Sequence, residues 1–289
     1  MGTSPRTRKS VANLSEADTT LLRSAFTASY QLADDRGYEY HAGIHGLPLP
    51  VYCVHHDATG LDDNVYVGPL FLPWHRAYLY FFELSLASLT PGVTLPWWDW
   101  TTPVGQVPVV PAAYSGAGNP LAAGPINGIP SDQWAKERQS ILEGTKVDPG
   151  DQPADTFRQP GQLEPVQDGS LPTPDDVSAV LDAPNFVDFT QRVERIHDNI
   201  HVWVGGTMSE IPVAAYDPLF WAHHCMIDRL WWLWQLKHPG ANPPDQYLDQ
   251  PLPPFPSLKI RDTLDVNNLG YEYALAEIAL QPVAPVGAG

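Results

Sequence analysis

Ten histidines occur in this chain, and six of them fall into two groups separated by a long stretch rich in proline and glycine. The first group is His45, His55 and His75; the second is His197, His201 and His224. Three imidazoles suit zinc, copper or iron, and without carboxylate or thiolate they do not suit magnesium or calcium. Two such trios are the provision for two transition-metal ions held face to face. His197 and His201 stand four apart in a helical pattern, where Cβ atoms share a face at about 5–6 Å. His224 lies in DPLFWAHHCMIDRLWWLW (217–234), a helix whose only formal positive charges are Arg229 and, further on, Lys237. A histidine doublet in so aromatic a helix is costly unless bonded or ligated. In the first group, spacing leaves alternatives open: His41 pairs with His45 at i, i+4, and His56 rivals His55.

The elements that must position these rings can be read from start and stop signals. Ser15 with Asp18 resembles a capping box and opens a helix of about 16–33. A short helix over 35–45 ends at Gly46. Residues 46–70 read as loop, and Pro73 sits in the first turn of a helix running to about 89. From 91 to 173 the text is dense in Pro and Gly, with one helix expected at 131–143 and Ser131 as its cap. Helical pattern returns at 174–182 and at 185–204, the latter stopped by Gly205-Gly206. Asp217-Pro218 is a strong helix start (cap plus first residue) for a helix to about 237. The tail from 241 reads as Pro-rich and irregular. The chain reads as one mainly α domain wrapped in long Pro/Gly-rich loops.

Bulk properties narrow the partners. A net charge of −17 argues against nucleic acid and anionic membranes, which need a positive footprint. No uncharged apolar run is long enough to span a bilayer. The basic start is followed by no apolar core, so no signal peptide is visible; the expected location is the cytoplasm, or outside with an exported partner. Cys53 and Cys225 are too few for a disulfide framework.

Taken together, IHGLP (44–48), Cys53-x-His55, FLPWHR (71–76), LPWWDW (95–100), HDNIHVWVGG (197–206) and DPLFWAHHCMID (217–228) resemble the type 3 copper proteins: tyrosinases, catechol oxidases and other polyphenol oxidases, and hemocyanins. The resemblance spans about 8–273, with Arg8 and Tyr271-x-Tyr273 as terminal markers, and implies one catalytic domain over 1–289 whose mainly α fold is a four-helix bundle holding a dinuclear copper site. It implies that His45, His55 and His75 bind one copper and His197, His201 and His224 the other, with dioxygen as co-substrate. It further implies a thioether between Cys53 and His55, as in fungal tyrosinases and molluscan hemocyanins. His223 and Asp228 would steady the ligands from behind, Asp228 alternatively pairing with Arg229 or Arg76. Val202 and Met208 would line the substrate pocket. Glu194 would hold a water that deprotonates a phenol, and Asp198 stands where strong hydroxylating enzymes often carry Asn. One departure is the long interval from His55 to His75, read as a loop insertion at about 57–67.

The implied activity is oxidation of o-diphenols to o-quinones, extending to monophenols or o-aminophenols, on a small phenolic substrate and with a copper-delivery helper protein as a possible partner. The alternative is a hemocyanin-like oxygen carrier. Carriers cover the site with an extra domain, for which the residues after Tyr273 leave no room. A dinuclear hydrolase is the other rival, disfavoured because neither trio includes a bridging carboxylate.

Overall fold

A computed structural model describes residues 5–49, 53, 70–102, 106, 108–142, 155–161 and 171–274. Seven α-helices lie among them: α1 Glu16–Tyr30, α2 Tyr38–His45, α3 Phe71–Leu89, α4 Ser131–Leu142, α5 Pro174–Leu181, α6 Phe186–Val204 and α7 Pro218–Lys237. Four short strands accompany them: β1 Arg6–Arg8, β2 Pro251–Leu252, β3 Phe255–Lys259 and β4 Tyr271–Tyr273. No helix among the described residues is long and apolar enough to cross a membrane.

The helix ends follow local chemistry. In α1, Ser15 and Asp18 form the reciprocal capping box, and the helix ends at Tyr30, short of residue 33. Asn185 caps α6 through Asp188 N–H, and the Asp217 side chain accepts from Leu219 N–H at the start of α7, with Pro218 as its first residue. Ser131 is the first residue inside α4 rather than its cap. The region after 241, expected to be irregular, contains the antiparallel β2–β3 pair.

Helices α2, α3, α6 and α7 form the mainly helical frame of the site. Helices α3, α6 and α7 pack on one another, and α2 packs on the turn Ala214–Tyr216 that leads into α7. Tyr78 of α3 ties α2 to α3 by donating to the His41 carbonyl at 2.6 Å. Helix α7 is buried on nearly all sides, as its apolar circumference requires. Its Trp221 stacks on Phe82 of α3 at 3.8 Å, and its Trp234 stacks on Phe189 of α6 at 4.8 Å. Trp97, Trp98 and Trp100 are buried packing residues.

A buried polar knot closes the bundle. Strand β1 pairs in parallel with β4, setting Arg8 opposite Tyr273. Asp228 of α7 accepts from Arg76 Nε of α3 at 2.5 Å, Arg8 Nη1 at 3.2 Å, and the hydroxyls of Tyr271 and Tyr273 at 2.7 and 2.5 Å. Arg8 also donates to Glu83 of α3 at 2.8 Å. Burial pushes the Asp228 carboxyl up, but Arg76, Arg8 and the two hydroxyls outweigh it and hold it below the usual carboxylate range.

Candidate metal centre

Helix α6 carries its buried residues at helical spacing, and Val193, Glu194, His197 and Ile200 fall on one inward face. His197 and His201, one turn apart on it, meet His224 of α7. Their Nε2 atoms form a triangle with edges of 2.9 Å (His197–His201), 3.2 Å (His197–His224) and 3.3 Å (His201–His224). Three nitrogens each about 2.0–2.1 Å from one ion stand a little over 3 Å apart. The edges fit that arrangement.

The tautomers fit too. His201 Nδ1 lies 2.7 Å from the Met208 carbonyl, and His197 Nδ1 lies 2.9 Å from Asp198 Oδ1. An oxygen acceptor there requires the proton on Nδ1, which leaves the lone pair of a neutral ring on Nε2, facing its neighbours. In the doublet it is His224 whose Nε2 joins the triangle; burial first, then the neighbouring imidazoles, hold it neutral. His223 is fully buried and stacks on His197 at 5.1 Å.

The first group gathers at the ends of α2 and α3. His45, Cys53 and His75 bring their donor atoms within 4.8 Å of one another. The same tautomer logic holds: His45 Nδ1 faces the Ile211 carbonyl at 3.0 Å, and His75 Nδ1 faces the Phe71 carbonyl at 2.8 Å. His41 takes no part; its Nε2 lies 2.9 Å from Ser85 Oγ, and burial pulls its pKa down to about 4. Between His41 and His45, the cluster therefore contains His45. His55, and with it the Cys53–His55 thioether, lies outside the described residues, as does His56. Cys53 Sγ lies 3.5 Å from His75 Nε2.

The two groups abut. The His75 and His224 rings stack at 4.4 Å and 19°, and Phe71 and Phe220 wall both groups from bulk water. Above them is a cavity of about 190 Å³ lined by His45, His197, Asp198, His201, Val202, Met208, Ser209, Ile211 and Ala214. Val202 and Met208, which the resemblance assigns to a substrate pocket, both line this cavity. Glu194 is buried one turn before His197. Of the two readings of Asp228, the structure shows the pairing with Arg76: its carboxylate meets Arg76, Arg8 and the hydroxyls of Tyr271 and Tyr273, and among the described residues it bonds no imidazole.

Sequence reasoning missed Ser209, Ile211 and Ala214, and the carbonyls that aim the rings. The available signal was Gly205-Gly206. Both residues have positive φ, +63° and +57°, and a Cβ on Gly206 would come within 2.2 Å of the Phe157 carbonyl oxygen. That turn folds 206–209 back so that Met208 O reaches His201.

The comparisons with known proteins agree with this geometry. The common central domain of tyrosinase matches residues 35–237, and the chain belongs to that family. It is 33% identical over 249 residues to grixazone synthase of Streptomyces griseus subsp. griseus, covering 70% of this chain and 73% of that protein. It is 29% identical over 261 residues to hemocyanin units G and H of Sepia officinalis, covering 86% of this chain but 42% of that protein, so the chain spans about two fifths of that relative. A functional unit of octopus hemocyanin superposes with a TM-score of 0.68 at 26% identity, over 92% of this chain and 67% of that one. The family's cofactor is a pair of copper ions acting with dioxygen. The imidazole donor set, with bare Nε2 lone pairs turned inward, suits it.

Proposed function

We propose that the chain is a polyphenol oxidase that takes o-diphenols to o-quinones with dioxygen, accepts o-aminophenols by the same chemistry, and turns over monophenols more slowly. The observation that carries this reading is the cavity over His45, His197 and His201, whose walls of Val202, Met208, Ile211 and Ala214 suit one aromatic ring. In this reading His45, His55 and His75 hold one copper and His197, His201 and His224 the other. When bound, the copper pair supplies the redox couple that engages dioxygen and takes up the substrate's electrons.

The remaining work falls to the chain's own groups. The carbonyls of Met208, Ile211 and Phe71 keep the Nδ1 protons pinned and the rings aimed. The apolar walls hold the substrate ring and limit water. Asp198, half-exposed and fixed by His197, accepts the proton released from a hydroxyl near the mouth. Glu194, buried beneath, orients the water needed to deprotonate a monophenol. In balance, two o-diphenols give up four electrons and four protons to one dioxygen, yielding two o-quinones and two waters.

Reversible oxygen carriage is the second reading, favoured by the likeness to the Sepia and octopus hemocyanins. Oxygen-electrode and absorbance recordings on copper-loaded protein with catechol separate the two. Sustained uptake with two quinones formed per dioxygen supports the oxidase; oxygen bound and released without quinone overturns it.

A further inference from the structure

We infer that Arg158 is a positioning residue for the second metal position: it ties the turn that aims His201 to the start of the helix that carries His224. The inference rests on His197, His201 and His224 sharing one ion and does not depend on which reaction follows.

The segment 156–161 is bonded to the end of α6 and to the turn after it. Gln159 N–H donates to the Val204 carbonyl at 2.9 Å and Gly161 N–H to the Trp203 carbonyl at 2.8 Å. Phe157 N–H donates to Thr207 Oγ1 at 3.0 Å, and Thr207 N–H returns a bond to the Phe157 carbonyl at 2.9 Å. The approach is close: a Cβ on Gly205 would come within 2.9 Å of the Gln159 carbonyl oxygen. Met208, next after Thr207, presents the carbonyl that His201 Nδ1 meets at 2.7 Å.

From the middle of this segment the Arg158 side chain reaches Asp217, the cap of α7. Its Nε lies 3.0 and 2.7 Å from the two carboxylate oxygens and its Nη2 2.5 Å from one of them. The guanidinium also donates to the carbonyls of Tyr114 at 2.7 Å and Leu121 at 3.0 Å. Asp217 in turn accepts from Leu219 N–H at 2.8 Å. The pair is buried, and although burial works against the Arg158 charge, Asp217 outweighs it. A planar fork spread over so many acceptors fixes direction as well as distance.

One residue thus joins two ligand supports: the Met208 carbonyl through Phe157 and Thr207, and α7 through Asp217. The first metal position is aimed by other routes. His75 faces the Phe71 carbonyl of its own helix, and the segment beside the Ile211 carbonyl is held to the end of α2 by Leu47 N–H on the Pro212 carbonyl at 2.9 Å.

The experiment compares wild type, Arg158→Met, Arg158→Lys and Thr207→Val in the full chain, with Asp228→Asn as a destabilised control. Copper is withdrawn stepwise by a chelator, the two steps being assigned with His201→Ala, and nitrogen NMR of the metal-free proteins reads which ring nitrogen carries each imidazole proton. The expected result is that Arg158→Met weakens the second position about tenfold or more and the first by less than about twofold. Arg158→Lys, which restores the charge but not the fork, recovers part of the loss. Thr207→Val, which leaves the ion pair intact, weakens the same position. In Arg158→Met the His201 proton is no longer confined to Nδ1, while that of His75 is. Equal weakening of both positions, or lost thermal stability with copper affinities unchanged as in the control, overturns the inference. If Arg158→Met does not fold, unchanged second-position affinity in both Arg158→Lys and Thr207→Val overturns it. If the wild type takes up no copper at the second position while Arg158→Met still frees the His201 proton, the metal assignment fails and the positioning role stands.

Discussion

Replacing Asp228 by asparagine removes one negative charge from the centre of the bundle at nearly constant volume. Among the described residues Asp228 is the one carboxylate that Arg76 pairs with, and it also receives Arg8 and both tyrosine hydroxyls. After the change Arg8 keeps Glu83, but Arg76, fully buried, is left with the Thr263 and Asp228 carbonyls and Gln235. Stranding one partner of a buried ion pair costs about 3–5 kcal/mol. For a chain of 289 residues the unfolding entropy is about 0.6 kcal/mol/K, so the midpoint falls by about 5–8 °C. Calorimetry on metal-free Asp228→Asn and wild type reads this directly. Among the described residues no imidazole bonds to Asp228, so the folded variant should still take up copper as the wild type does. A shift under about 2 °C would refute the reasoning about the knot, and copper loss at full thermal stability would mean that Asp228 serves the ligands instead.

The same knot predicts a pH window. The folded-state pKa of Asp228 is depressed, so its contribution is complete above the unfolded value of about 3.9 and is lost as pH falls through the folded one. The midpoint gap between wild type and Asp228→Asn should stay constant from pH 7 to 5 and close below about pH 4, which thermal scans across pH would show. At Gly46 a Cβ would stand 2.2 Å from the Pro212 carbonyl oxygen, next to the Ile211 carbonyl that aims His45. Gly46→Ala should weaken copper at the first position about 10–100-fold, as read by competition with a chelator, with the second position unaffected; equal affinity at both would show that this carbonyl does not matter.

Much of the frame was legible because its signals are local. Ser15 with Asp18, Asp217-Pro218 and Gly205-Gly206 each set a helix end through atoms within a few residues. The His197/His201 pair was legible for the same reason, since both rings ride one helix. What was not legible depends on distant chain. The strand pairing of Arg6–Arg8 with Tyr271–Tyr273 joins residues far apart in sequence, and it decides that Asp228 answers to arginines and tyrosines rather than to a histidine. His224 was named within the doublet from the family resemblance, and the meeting of α6 with α7 gives the physical reason, since it brings the His224 Nε2 to those of His197 and His201. The aiming carbonyls of Met208, Ile211 and Phe71 carry no side-chain signature at all. Ser209, Ile211 and Ala214 look like ordinary loop residues until the turn after α6 folds them over the histidines.

Everything proposed for this chain rests on its histidines forming two metal positions that share one pocket. The direct measurement is the copper-to-chain ratio of purified, fully loaded and desalted protein by elemental analysis. The account predicts two copper ions per chain, with His201→Ala retaining one. A saturated ratio of one in the unaltered protein would contradict it.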